Sequence, residues 1–140
     1  MKTVEIKDEK LQVLDCPAMD DSPITMLNLL KYRQVADHSG YQNETPCSGR
    51  EAYLRYTKHS FPLVKSIGGK VIFMGTALAT IIGPDTEQWD DMLIVRYPSR
   101  KAFFGMLSSE AYRAVMFHRT AALEDSRLVA VIEGKASFQS

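Results

Sequence analysis

The hydrophobic pattern of residues 24–33, ITMLNLLKYR, predicts a central β-strand with two apolar faces. Side chains alternate along a strand, so Ile24 and Met26 point to one face while Leu27 and Leu29 point to the other. A strand with one face in water would alternate between apolar and polar residues. The pattern therefore predicts that this strand is covered on both sides.

A polar stretch and then a helix are predicted after this strand. The stretch 34–49 is longer than a compact domain normally needs, which favours either a lid or a surface decoration. Ser48 and Glu51 match the capping-box pattern, in which each side chain hydrogen-bonds the other residue's backbone N–H. The helix is expected to begin there, to kink at Pro62, and to end at the glycine pair 68–69.

The middle of the chain predicts a hairpin. Apolar stretches at 70–82 and 88–97 have the composition of β-strands. Gly83, Pro84 and Asp85 begin the turn between them. The two strands are therefore expected to pair with each other.

The last third of the chain predicts a second helix and a last strand. Ser99 can cap a helix that begins at Arg100. The serine pair 108–109 interrupts the apolar pattern, so the residues after it either continue this helix on a shifted axis or form a separate one. The last strand is predicted at 126–134.

The order β-α-β-β-α-β predicts an α+β, ferredoxin-like fold. Right-handed crossovers place both helices on one face of a four-stranded antiparallel sheet, with the first and third strands in the middle. The chain is interpreted as one domain, with an N-terminal helical extension at 1–20, a core at 24–133 and a loose tail at 135–140. The other sheet face is apolar and bare, which predicts a homodimer packed through the sheet faces.

Charge and hydropathy exclude several partners. The chain of 140 residues has 17 basic and 17 acidic residues, so it lacks the positive charge of proteins that bind nucleic acid or anionic membranes. The N-terminus has no continuous apolar core of a signal peptide, and the apolar run at 71–83 is too short for a membrane helix. We therefore expect a cytoplasmic protein without a nucleic-acid or membrane partner.

The motifs of metal and cofactor sites are missing from the sequence. Cys16 and Cys47 lie far apart without metal-ligand spacing, so free thiols are expected. No phosphate-binding glycine loop, dinucleotide fingerprint or nucleophile elbow is found. The sequence therefore predicts no metal site and no cofactor.

Several motifs between about residues 24 and 132 resemble the family known as domain of unknown function 1330. They are MLNLLKYR, SGREAYLRY, the IGP of residues 82–84, Trp89-Asp90, VRYPSR and RTAALEDSRL. The resemblance implies the dimeric α/β-barrel superfamily, whose relatives include cofactor-free monooxygenases, muconolactone isomerases, haem-degrading and haem-dependent enzymes, and binding or assembly modules. It implies the fold and the dimer but no particular reaction.

Two polar residues of the predicted strands are candidate ligand contacts. Asn28 lies in the central strand, where a buried amide must find a partner, so it either orients a ligand or makes a structural hydrogen bond. Arg96 either clamps a ligand carboxylate or pairs with Asp90, Asp91 or Glu133.

Aromatic residues and one histidine are further candidates. Tyr56 and His59 are three residues apart on the first helix, so they can face the cavity between sheet and helices together. His59 and Tyr32 are candidate catalytic residues, because a neutral histidine is a suitable general base and a tyrosine can donate a hydrogen bond. A single histidine on an apolar helix face is, however, also typical of an ordinary core or surface residue. Tyr53 and Tyr56 are candidate ligand-binding residues, although aromatic residues at these spacings are also typical of a plain core.

Two functions are compatible with the sequence. The first is a homodimer that binds a small organic metabolite and, as an enzyme, works without a cofactor in the manner of a monooxygenase or isomerase. The second is a non-catalytic dimeric binding or assembly module. Convergence of Asn28, His59 and Arg96 on one pocket would favour the first function, and dispersal among separate ion pairs would favour the second.

Overall fold

The computed structural model describes the chain in three ranges: residues 1–14, 22–41 and 44–133. These ranges include the whole of the predicted core except residues 42 and 43. The predicted tail at 135–140, the end of the N-terminal extension at 15–20, and Cys16 lie outside the described residues.

Five helices and four strands succeed one another in the described part of the chain. They are α1 (Asp8–Leu11), β1 (Ile24–Tyr32), α2 (Gly49–Ser66), β2 (Lys70–Thr76), β3 (Asp91–Tyr97), α3 (Arg100–Ser108), α4 (Glu110–Arg113), α5 (Met116–Ala122) and β4 (Leu123–Val131). A 3-10 turn, Gln12–Leu14, comes after α1, and these two segments are helical within the described residues 1–14 of the N-terminal extension. Within the described residues, no helix has the length and apolar character needed to cross a membrane.

The four strands form one antiparallel sheet in the order β2-β3-β1-β4. The first and third strands occupy the middle, as predicted, and the two outer strands are β2 and β4. This topology confirms the ferredoxin-like α+β fold.

The helices cover one face of the sheet. Ile24, Met26 and Leu30 of β1 point to this face and are almost fully buried. They belong to one core that also includes Tyr53, Tyr56 and Val64 of α2, Phe103 and Met106 of α3, Tyr112 of α4 and Ala122 of α5. Burial of each large apolar side chain contributes about 1.5–3 kcal/mol, so this face carries most of the fold's hydrophobic stabilisation.

The opposite sheet face, which we call the open face, carries no helix among the described residues. The strand register groups its apolar side chains, which are half-buried or exposed: Leu27, Leu29, Phe73, Met92, Ile94, Val129 and Val131. The predicted pair of apolar faces on β1 is therefore present, but the described residues cover only one of them.

The first long helix begins and ends where the sequence predicts. Glu51 N–H donates to Ser48 Oγ and Ser48 N–H donates to Glu51 Oε1, both at 3.1 Å, which confirms the capping box. The helix continues through Pro62 to Ser66. Gly68 then adopts a φ of 83°, a conformation that favours glycine and ends the helix.

The second helical region is divided into separate helices. Ser109 has an extended ψ of 148°, which ends α3, and its side chain accepts a hydrogen bond from Tyr112 N–H at 3.2 Å. This cap begins α4, and α5 begins after Ala114 and Val115. The break at 108–109 therefore produces new helices rather than one continuous helix.

The second strand is shorter than predicted. It ends at Thr76 instead of residue 82, and Ala77 N–H makes one more hairpin bond, to the Asp90 carbonyl at 2.8 Å. Beyond that point the apolar side chains lie almost fully in solvent: Leu78, Ile81 and Ile82. Their hydrophobicity predicts a strand, but within the described residues no strand pairs with this segment.

Two other strand boundaries also shift. β3 begins at Asp91 instead of residue 88, and β4 spans Leu123–Val131 instead of 126–134. β4 begins earlier because Leu123 pairs with Tyr32 across a bulge and is fully buried. Tertiary pairing, which local composition does not encode, sets these ends.

The irregular stretch between β1 and α2 is hydrogen-bonded to the domain. Asp37 N–H donates to the Ala121 carbonyl of α5, and Ala36 N–H donates to the Cys47 carbonyl, both at 2.9 Å. Cys47 is a free thiol, as predicted. The described part of this stretch therefore lies against the helical layer.

Candidate functional site

A groove of about 440 Å³ lies between α2 and the helix-facing side of the sheet. Its lining is mainly apolar and aromatic, with a carboxylate and a phenol among the polar groups: Leu30, Tyr32, Tyr53, Phe61, Met74 and Asp91. Pockets of this size and composition are typical of sites for small organic molecules. We call it the tyrosine–aspartate groove.

A hydrogen-bonded trio forms the polar end of this groove. The Tyr32 hydroxyl donates to Asp91 Oδ2 at 2.6 Å, and Arg50 Nη1 donates to the same oxygen at 2.8 Å. The Arg50 guanidinium also lies over the Tyr32 ring, 4.7 Å from its centroid. The negative charge of Asp91 is thus held beside a cation and a phenol that donates to it.

Asp90 fixes the position of this trio. Its N–H donates to the Leu30 carbonyl at 2.8 Å, and its Oδ2 accepts the Tyr32 backbone N–H at 2.9 Å. These bonds join the end of β1 to the start of β3, where Leu30 pairs with Asp91. As a result the side chains of Tyr32 and Asp91 lie on the same face of the sheet.

Gly49 brings Arg50 to the groove. A Cβ at position 49 would lie 2.2 Å from the Arg33 carbonyl oxygen and 2.6 Å from that of Ala122, so only glycine fits. Gly49 N–H also donates to the Arg33 carbonyl at 3.0 Å. This close approach sets the first turn of α2 directly beyond the end of β1.

A row of tyrosines continues from the groove into the core. The ring centroids of Tyr32 and Tyr53 are 5.5 Å apart and those of Tyr53 and Tyr56 are 5.3 Å apart. The Tyr56 and Tyr112 hydroxyls lie 2.9 Å from each other. Burial, the largest cause, raises the pKa of Tyr32, Tyr53 and Tyr56 above the ordinary value, so these phenols stay protonated at neutral pH.

One oxygen of the Asp91 carboxylate has unused bonding capacity. Oδ1 is excluded from solvent, and it makes no hydrogen bond with a described residue. An unpaired buried acceptor costs about 1–3 kcal/mol. Asp91 lines the groove, so a small rotation of its carboxylate would let this oxygen accept a hydrogen bond, or a proton, from a molecule bound there.

The structure divides the predicted site residues between different places. Tyr32 and Tyr53 line the groove, and Tyr56 lies behind Tyr53 in the core. Asn28 is buried, and its Nδ2 donates to the Leu93 carbonyl at 3.2 Å across the strands. Of the two predicted roles of Asn28, this contact is the structural hydrogen bond and not a ligand contact.

Arg96 and His59 do not face the groove. Arg96 lies on the open face, where its Nε donates to Glu133 Oε1 at 2.6 Å. Of the two predicted roles of Arg96, this contact is the ion pair and not the clamp on a ligand carboxylate. His59 is exposed and its ring stacks against His118, with centroids 6.1 Å apart. The expectation that Tyr56 and His59 share one cavity is therefore wrong, because Tyr56 is buried on the sheet-facing side of α2.

Sequence reasoning missed the roles of Asp91 and Arg50 in the groove. Asp91 was considered only as an ion-pair partner of Arg96. A signal was present, since two adjacent acids at the start of a strand point to opposite faces, which sends one of them toward the helices. For Arg50 the spacing of three residues to Tyr53 places both on one side of α2.

A second polar cluster joins the stretch after β1 to α5. Ligand atoms of His38, Glu44 and His118 all lie within 4.8 Å of one another, a grouping that could hold a metal ion. Burial, opposed by the charge of Glu44, lowers the pKa of His118, so its ring is neutral at pH 7. The sequence predicted no metal site because the three residues show no local ligand spacing.

Comparison with protein-family models identifies one family. The model described as "Domain of unknown function (DUF1330)" matches residues 44–134. The matched range begins after β1, so it does not include the MLNLLKYR motif that contributes to the resemblance. A search of curated proteins found no match to this chain.

Comparison with solved structures finds similar chains. A protein of unknown function from Rhodopseudomonas palustris is 36% identical with a TM-score of 0.82, and the match covers 97% of this chain and 100% of that one. A hydroxynitrile lyase from Passiflora edulis is 9% identical with a TM-score of 0.56, covering 83% and 97%. A dabb family protein with a ferredoxin-like fold from Mesorhizobium loti is 9% identical with a TM-score of 0.51, covering 79% and 95%. The last two share the fold.

Proposed function

This chain belongs to the DUF1330 family, and from that premise we propose that it is a homodimer that binds a small, partly aromatic organic molecule in the tyrosine–aspartate groove. The observation that carries the proposal is the unpaired Oδ1 of Asp91 beside an apolar groove of about 440 Å³. A ligand hydroxyl or N–H that donates to Oδ1 would complete the bonding of this carboxylate.

The groove favours a ligand without net charge. Arg50 Nη1 lies 2.8 Å from Asp91 Oδ2, so the two charges at the polar end already balance. The remaining walls offer the rings of Tyr32 and Tyr53 and the apolar side chains of Leu30 and Met74. A flat molecule with one donating group at its edge matches this arrangement.

The chemistry proposed for this site is proton transfer. Asp91 accepts a proton at Oδ1 from a ligand O–H or from an acidic C–H next to a carbonyl, and returns it to another atom of the same molecule. Such an isomerisation is balanced without an oxidant or reductant. Tyr32 stays protonated and holds Oδ2 in place, and Asp91 takes the role of proton acceptor that was predicted for His59.

The apolar side chains of the open face support the proposed homodimer. These side chains are half-buried or exposed, with Phe73 at 49% and Val129 at 50% of full exposure. A second copy packed face to face would cover them. Because the net charge of the chain is zero, two copies do not repel each other over long distances. The exposed apolar residues Leu78, Ile81 and Ile82 offer further surface for the same partner.

A non-catalytic binding or assembly module is the second candidate function. The observation that favours it is the dispersal of three predicted site residues: Asn28 bonds a strand carbonyl, Arg96 pairs with Glu133, and His59 is exposed. Under this alternative no proton is transferred in the groove, whether or not a small molecule binds there.

Native mass spectrometry of freshly purified protein tests the proposal. The expected mass is that of two chains plus a small organic molecule that is lost in Asp91→Asn. The single amide oxygen would accept the bonds from Tyr32 and Arg50, which leaves the amide nitrogen at the position of Oδ1, where it cannot accept the ligand's hydrogen bond. Asp85→Asn, an exposed change in the loop after β2, is the matched control and should retain the molecule.

Three results are decisive. If the wild type isomerises the identified molecule and the rate falls at least about 100-fold in Asp91→Asn, this result supports proton transfer by Asp91. Retention of the molecule in Asp91→Asn contradicts the placement of the site. Binding that depends on Asp91 without turnover supports the non-catalytic alternative.

A further inference from the structure

All three histidines of this chain converge on one place, although they come from different elements. His38 lies in the stretch after β1, His59 on α2 and His118 on α5. The rings of His59 and His118 are nearly parallel, at 13°, with centroids 6.1 Å apart. His38, His118 and Glu44 each offer one ligand atom, and these three atoms lie within 4.8 Å of one another.

Two of these imidazoles have a buried nitrogen with unused bonding capacity. His38 Nε2 and His118 Nδ1 are excluded from solvent, and neither makes a hydrogen bond with a described residue. His118 as a whole is only 7% exposed. Folded proteins rarely leave such atoms unpaired, because each one costs about 1–3 kcal/mol.

Contacts around the three residues join the segments that carry them before any ion binds. Tyr41 stacks on Phe117, with ring centroids 4.4 Å apart at 18°, close to His38 and His118 in the sequence. Arg55 Nη1 donates to Glu44 Oε2 at 3.3 Å and to the Thr45 carbonyl at 3.0 Å. These anchors join the stretch after β1 to α2 and α5, so the cluster is built by the tertiary fold.

From this geometry we infer that His38, Glu44 and His118 form a binding site for one divalent transition-metal ion. Two imidazoles and a carboxylate are the donors that Zn²⁺ and its neighbours in the first transition row prefer, whereas Mg²⁺ and Ca²⁺ prefer oxygen donors only. Zn²⁺ lies about 2.0–2.2 Å from such atoms, so the observed spacing needs side-chain shifts of less than about 1 Å. Three protein ligands leave a fourth position for water or a small ligand.

This site is independent of the proposed groove. None of the three ligands lines the groove, which α2 and the strands β1, β2 and β3 build. The metal site lies instead where the stretch after β1 meets α5. Metal binding can therefore be tested while the identity of the groove ligand is unknown.

The test is calorimetric titration of Zn²⁺ into chelator-treated protein without a histidine tag. We expect one ion per chain. Glu44→Gln and His38→Gln should each weaken Zn²⁺ binding at least about 100-fold, since even residues that only support metal ligands contribute 10–100-fold. Both residues are half-buried, so these variants perturb the fold less than a change at the buried His118. Thermal denaturation without metal checks that they fold.

Two matched controls sharpen the test. Glu9→Gln removes an exposed carboxylate on α1, and His59→Asn removes the stacked but non-ligating imidazole. Both should keep Zn²⁺ affinity within about threefold, since neither changes a metal ligand. Co²⁺ should give the absorption bands of a four-coordinate site in the wild type, and Glu44→Gln should lose them.

The opposite results would overturn the inference. Wild-type protein that binds Zn²⁺ no more tightly than Glu44→Gln has no site at this cluster. A loss in His59→Asn as large as that in His38→Gln shows a different set of ligands.

Discussion

The two faces of the sheet differ in how completely the described part of the chain covers them. On the helix-facing side Leu30 is 1% exposed and Leu123 is fully buried, whereas Val129 on the open face keeps 50% of its exposure. Both faces are apolar, and they belong to the same strands. The contrast indicates that the helices complete the core on one side only, and that the other side needs a second apolar surface.

The polar groups of the two faces differ in a parallel way. On the helix-facing side, Asp91 keeps one buried oxygen without a partner among the described residues. On the open face, Arg96 and Glu133 satisfy each other at 2.6 Å, and both side chains are exposed. Groups with unused bonding capacity lie on the covered side, so the chemistry of this protein is expected there and association is expected on the open face.

The largest expected effect comes from a charge on the open face. Leu29→Asp should dissociate the proposed homodimer, because an unpaired charge buried in an apolar interface costs about 3–5 kcal/mol or more. Sedimentation velocity should show single chains at concentrations where the wild type is dimeric. Val13→Asp, which places the same charge on an already exposed side chain, is the control. An intact Leu29→Asp dimer would show that the second copy binds elsewhere.

A matched pair of neighbouring leucines separates the two faces. Leu30→Ala should lower the free energy of unfolding by about 2–5 kcal/mol, since it leaves a cavity in the core, and should change the dimer Kd less than about threefold. Leu29→Ala should instead raise the dimer Kd about tenfold or more, since it removes apolar contact area from the open face. Urea denaturation and sedimentation measure the two quantities. Equal effects of both variants on both quantities would remove the distinction between the faces.

A smaller effect is expected from a buried carboxylate on β4. Asp125 Oδ1 accepts hydrogen bonds from Thr3 N–H, Ser126 N–H and Arg127 Nη1 at 2.9, 2.9 and 2.7 Å. Burial alone would raise the pKa of Asp125, but these bonds together lower it below the ordinary value. Because the folded pKa is the lower one, the stabilisation is full above the unfolded pKa of about 4 and is lost as pH falls through the folded pKa.

The corresponding variant is Asp125→Asn. At pH 7 it should lower the free energy of unfolding by about 1–3 kcal/mol, the cost of breaking a buried charged hydrogen-bond network. As pH falls through the folded pKa of Asp125, which lies below the ordinary value, the stability of the variant should approach that of the wild type, because the wild-type carboxyl is then protonated too. Denaturation curves between pH 2 and 7 measure both. A constant difference over this range would show that the charge of Asp125 contributes nothing.

The fold was predictable because its signals are local. The capping box of Ser48 and Glu51 and the alternation in β1 each act between neighbours along the chain, and both are present in the structure. The same local view failed for residues 77–82, which are apolar yet lie outside the sheet. Hydrophobicity indicates that a segment can form a β-strand, but the length of the neighbouring strand decides where the strand pairing ends.

Local patterns were enough to specify the order of the helices and strands, the two apolar faces of the central strand and hence the ferredoxin-like fold. Three-dimensional packing was needed to bring Asp91 to Tyr32 and Arg50, and to place His38, Glu44 and His118 together. Secondary structure depends on interactions within a few residues. A site depends instead on strand register and helix docking, because these bring together side chains that are distant along the chain.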